Sequence, residues 1–115
     1  MLQTHMDAAV LEALQDVMEA DYPLLLETFV SDSQTRLVQM GQAAHDPDAL
    51  AQAAHSLKGS SSNMGALRLA ELCRDLETRA KHMSAVQTDQ LLAEIRLEMD
   101  TVQRLYGAER QRFTG

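Results

Sequence analysis

The sequence predicts an all-α fold, an antiparallel four-helix bundle with a short extra helix at its N-terminal end. Three observations carry that expectation. Apolar residues recur with a period of about 3.6 almost from end to end, and no alternating segment of convincing length interrupts them. The 115 residues are 45% hydrophobic but only 3% aromatic, with no tryptophan. A core must therefore come from Leu, Ala, Met and Val, a mixture that favours packed helices over sheets. The connections are short, which makes consecutive helices antiparallel neighbours. At 12.7 kDa the expected organisation is one domain over residues 1–115, with no internal repeat or linker.

Asp7 can cap a short first helix that carries Val10, Leu11, Leu14, Val17 and Met18 on a broad apolar face and stops near Ala20. Asp21, followed by Pro23 in the first turn, starts a second helix running to about Ala44, with Leu25, Leu26, Phe29, Leu37 and Met40 inward. Leu24 and Val38 fall outside that stripe and are candidates for a partner surface. The strongest helix start is Asp46 as cap, Pro47 at the first helical position and Asp48 in the first turn, where cap, fixed φ and dipole agree. Gly65 supplies a left-handed end to this third helix. Leu69, Leu72, Cys73, Leu76 and Ala80 mark a fourth. Ser84 with Gln87 forms a capping box for the last, whose inner face is Leu91, Ile95, Met99, Val102 and Leu105 or Tyr106. The polar tail after about residue 107 is expected to fray.

A net charge of -7 and a pI near 4.9 argue against nucleic acid as a partner, since phosphate backbones are bound by clustered Lys and Arg. Acidic partners are disfavoured for the same reason. The single cysteine, Cys73, cannot form an internal disulfide, and its place in an apolar stripe reads as a small core residue. Neither a signal-peptide pattern nor an apolar run of about 18 residues is present, so a cytoplasmic location without membrane association is expected.

The chemistry concentrates in the third helix. A wheel at about 100° per residue puts Leu50, Ala53, Ala54, Leu57, Ser61 and Met64 on one side. Roughly opposite stand Gln52, His55, Gly59 and Ser62, so the imidazole faces water. His55, Lys58 and Gly59 stand at i, i+3 and i+4 and stack on one face. Gly59 costs about 1 kcal/mol relative to Ala in a helix, and three serines follow it. Local stability is sacrificed around this histidine, as happens at functional sites. Ser61 lies inward and reads as structural, whereas Ser62 lies nearer His55 and can donate a hydrogen bond. In the hairpin of helices three and four, residues 73–77 come level with His55, and Glu77 sits at the edge of the inward stripe. His5 in the tail, His45 in a turn and His82 near the end of helix four read as surface residues. No pair has metal-ligand spacing, so no metal or cofactor is expected.

The run His55-Ser56-Leu57-Lys58-Gly59, followed by small residues and by Gly65 ten positions after the histidine, resembles the signature of histidine-containing phosphotransfer (HPt) domains, the phosphocarriers of two-component phosphorelays. The match is gapless, and the all-α pattern and length agree with it. The resemblance implies that His55 accepts a phosphoryl group from a phospho-aspartyl receiver domain and passes it to another receiver. It implies that Lys58 offsets phosphoryl charge, that Gly59 leaves room for a docking protein, and that Glu77 hydrogen-bonds and orients the ring. Partners are then response-regulator receivers, including those of hybrid sensor kinases, with Mg²⁺ carried by the receiver. No Gly-rich phosphate loop is present, so an autokinase is not expected, and the core suffices for a monomer. The rival reading is a helical adaptor or antagonist that docks to receivers or kinases without transfer. Intact His55, Lys58 and Gly59 argue against it, because a scaffold would not need them.

Overall fold

A computed structural model of the chain describes residues 5–114. These form α1 (Ala8–Met18), a single 3₁₀ turn (Glu19–Asp21), α2 (Tyr22–Gln42), α3 (Pro47–Asn63), α4 (Leu67–Arg79) and α5 (Ala85–Thr114). No strand occurs among the described residues. Around the bundle, α2 packs on α3 and α5, and α4 packs on the same two helices from the other side, while α1 lies against α2. The core is mainly aliphatic, with Leu26, Leu57, Leu76, Ile95 and Val102 essentially closed to solvent, and Tyr22, Phe29 and Tyr106 are buried among them.

The helix ends follow local chemistry. Asp7 accepts from the amides of Ala9 and Val10, and Asp46 accepts from Ala49 at 3.2 Å. Ser84 and Gln87 form the reciprocal box, with Gln87 N–H donating to Ser84 Oγ and Ser84 N–H to Gln87 Oε1. Gly65 has φ 74°. Around it Gly65 N–H donates to the Ser62 carbonyl and Ala66 N–H to the Ser61 carbonyl, the Schellman pattern that closes a helix on a left-handed residue. This turn fixes how α4 folds back along α3.

Several expectations need correction. The first helix ends at Met18, two residues early, because Glu19 turns to φ 50°. Val17 is 77% exposed, since a short peripheral helix lying mainly against α2 leaves part of a face that broad uncovered. Asp21 makes no side-chain cap bond; its backbone is already helical as the 3₁₀ turn runs into α2. That helix ends at Gln42 rather than Ala44. The segment after residue 107 does not fray. It continues α5 to Thr114, held by Phe113 packing edge-on against Tyr22 with ring centroids 5.3 Å apart and by Tyr22 donating to Glu109 at 2.7 Å. His5 is not a free surface residue, because its Nδ1 lies 2.7 Å from Oε2 of the buried Glu98.

Candidate functional site

His55 sits near the middle of α3, where a helix is most rigid. Leu50, Ala54, Leu57 and Ser61 of this helix are buried, which turns His55 outward with its side chain 68% exposed. Gly59 lies one turn on. A methyl group built at Gly59 would meet nothing within 4 Å, so the glycine relieves no crowding inside this chain. The bare backbone opens the surface beside the ring.

The antiparallel return of α4 brings Glu77 level with His55, as the hairpin geometry predicts. Glu77 Oε2 lies 2.6 Å from His55 Nδ1, and its other oxygen, Oε1, accepts from Lys58 Nζ at 2.6 Å. One carboxylate thus bridges the histidine and the lysine. The Lys58–Glu77 contact is not among the sequence expectations, although its signal is present: His55 and Lys58 share a face at i and i+3, so an acid opposite one reaches both.

Lys58 holds the Glu77 carboxyl below the usual carboxylate range, chiefly through its hydrogen bond. Partial burial opposes the shift, and the His55 contact adds to it. An ionised carboxylate only accepts hydrogen bonds, which assigns the ring proton to Nδ1 and leaves the lone pair on Nε2, the edge turned to solvent. Ser62 is exposed two turns along α3, and among the described residues no hydrogen bond joins it to the ring. Ser61 is buried, in line with a structural role. Burial pushes the Cys73 thiol up to about 12, which marks a core residue and not a nucleophile. His45 and His82 are exposed.

Among the described residues no group of three or more His, Cys, Asp or Glu side chains is arranged to hold a metal ion. Among the described residues no helix is long and apolar enough to cross a membrane. The arrangement that remains is an outward imidazole with one nitrogen tethered and one free, an ammonium beside it and an unobstructed approach over Gly59.

Comparison with known proteins points the same way. A profile of the Hpt domain matches residues 24–105. Among solved structures, the chain is similar to the crystal structure of histidine-containing phosphotransfer protein B (HptB) from Pseudomonas aeruginosa PAO1, with 45% sequence identity and a TM-score of 0.88. That similarity covers 94% of this chain and 96% of the other. A search of curated protein sequences gave no match.

Proposed function

The chain belongs to the Hpt domain family and is a histidine-containing phosphorelay carrier, and from that premise we propose that His55 is its phosphoryl acceptor and donor. The observation that carries the assignment is the exposed His55 imidazole, whose Nδ1 lies 2.6 Å from Glu77 Oε2 while no hydrogen bond from the described residues engages Nε2. Nε2 attacks the phosphorus of a phospho-aspartyl receiver, and a second receiver takes the group back by the reverse displacement. Catalysis is positioning and charge neutralisation within the docked pair. Lys58 has three N–H donors; with one on Glu77, two remain for the phosphoryl oxygens, whose charge they offset. Gly59 gives the receiver room to bring its aspartate within bonding distance of the ring, and Ser62 borders the same approach.

On this reading the chain is a carrier and not an autokinase: phosphoryl groups reach it only from receivers, those of hybrid sensor kinases among them. Mg²⁺ belongs to the receiver's acidic pocket. The protein works as a cytoplasmic monomer and exchanges partners by diffusion.

The test is His55→Gln. The ring faces water, so the variant keeps the helical circular dichroism and unfolding midpoint of the wild type, yet takes up no label from a phosphorylated receiver. Label on the variant equal to that on the wild type would remove His55 from the reaction.

A further inference from the structure

The chain carries 17 acidic side chains against ten lysines and arginines, so a cation on its surface has carboxylates to choose from. Lys58, Arg68, Arg79, Lys81, Arg110 and Arg112 each hold one. Among the described residues Arg36, Arg74, Arg96 and Arg104 enter no ion pair or side-chain hydrogen bond. Three of these four are exposed and left to water, but Arg36 is half-buried. It gives up part of its hydration with no acid in return, an arrangement that costs free energy until a partner completes it. Asp32 stands one turn earlier on the same helix, at the spacing that suits an ion pair, yet the two are not joined.

The place of Arg36 in the fold points to that partner. The buried stripe of α2 is Leu26, Phe29, Ser33 and Met40. On one flank of it Val30, Gln34 and Val38 line a cleft against α5. Arg36 stands about 200° round the wheel from Gln34, on the other flank, and the helix packed there is α3. The two helices run antiparallel from the turn at 43–46, so residues equally far from that turn are level. Arg36 lies six positions before Gln42, the end of α2, and Ala53 lies six positions after Pro47, the start of α3. From Ala53 to His55 is about 3 Å of helix rise, and packed helix axes lie about 8–10 Å apart, which puts the Arg36 and His55 backbones roughly 10 Å from each other. A protein interface of ordinary size covers about 800 Å² of each partner, a disc about 16 Å in radius. Centred on His55, such a footprint takes in Arg36.

We propose that Arg36 is a specificity-determining residue that pairs with a carboxylate of the docked receiver on the α2 side of His55. The proposal rests on His55 as the acceptor. On the α4 side the lysines are already engaged, Lys58 with Glu77 at 2.6 Å and Lys81 with Asp48 at 3.2 Å. Arg36 meets the receiver with its donors unspent. A guanidinium grips a carboxylate through two parallel N–H donors, and docking removes the water that screens the pair. Pairing of this kind favours the docked complex and leaves the displacement at phosphorus to His55 and Lys58. It also selects. A receiver with a neutral or basic side chain at that point would leave the guanidinium desolvated and unpaired, a penalty that the matching receiver avoids.

The experiment follows single-turnover transfer from one phosphorylated receiver to wild type, Arg36→Ala and Arg104→Ala over a range of carrier concentrations. Both variants lose one unpaired arginine, but Arg104 lies on α5, diagonally across the bundle from α3. Arg36→Ala should raise the half-saturating concentration about tenfold or more, the worth of a hydrogen bond to a charged group, and leave the limiting rate unchanged. Arg104→Ala should match wild type in both. The gap between wild type and Arg36→Ala should narrow as salt is raised from about 0.05 to 0.5 M. Circular dichroism confirms that each variant is folded. A half-saturating concentration that is unchanged in Arg36→Ala, or raised equally in Arg104→Ala, overturns the proposal and leaves His55 as acceptor. So does a fall in the limiting rate alone, which would put Arg36 in the transfer step and not in docking. A wild-type chain that takes no label overturns the acceptor assignment itself.

Discussion

At the scale of single residues, Lys58 and Gly59 flank the same imidazole with opposite means, one by a charge and the other by a missing side chain. Lys58→Ala removes one charge-assisted contact to the phosphoryl group, worth about 1.5–3 kcal/mol in general. With the lysine 29% exposed, solvent screening favours the lower end. Stopped-flow transfer from a phosphorylated receiver should slow on the order of tenfold with little change in unfolding midpoint; an unchanged rate would take Lys58 out of the mechanism. Gly59→Gln separates docking from packing. The space around the missing Cβ is open and Gln is the better helix former by up to about 1 kcal/mol, so the variant should be as stable as wild type or more so while transfer is lost to steric block. Destabilisation with transfer intact in the folded fraction would contradict the open geometry. The positions of these two residues were legible because a helical wheel fixes direction from spacing alone. That Glu77 joins Lys58 to His55 was not, because a contact across two helices depends on register and side-chain reach.

At the scale of the element, the hairpin of α3 and α4 holds the site together, and Gly65 sets its return angle. Its φ of 74° lies in the left-handed region, which costs L-residues roughly 1–2 kcal/mol. A methyl group there would also stand 3.1 Å from Val10 Cβ and 3.2 Å from the Asp7 carbonyl oxygen. Gly65→Ala should therefore destabilise by about 1–3 kcal/mol, read as a lowered denaturation midpoint. An effect under about 0.5 kcal/mol, the range of a neutral surface substitution, would show that the turn relaxes freely. Caps written in side chains, Asp46 and the Ser84–Gln87 pair, could be read from the sequence because each is a short-range signal with its own chemistry. The end of α1 could not: Glu19 adopts φ 50° with no glycine or asparagine to announce it.

At the scale of the whole molecule, the inward stripes of four helices were legible because burial on one face imposes a period on the sequence. The ends of the chain were not. The residues after Gly107 look solvated and polar, yet they close the bundle by reaching α2 across most of the sequence: Tyr22 donates to Glu109 at 2.7 Å, Arg112 grips both Glu109 oxygens at 2.9 and 2.8 Å, and Phe113 stacks edge-on to Tyr22. Arg112 first, and the Tyr22 hydroxyl after it, hold the Glu109 carboxyl below its ordinary 4.5 in spite of partial burial. A carboxyl depressed in the folded state contributes stability that is fully present above its unfolded value and is lost as pH falls through its folded one. Wild type should therefore be more stable than Glu109→Gln at neutral pH, and the difference should shrink as pH is lowered from about 4.5. Urea unfolding of both proteins at a series of pH values tests this. A difference that stays constant through the acid range would mean that the C-terminal clasp is held by Phe113 and Tyr22 packing alone, with no contribution from the charge on Glu109.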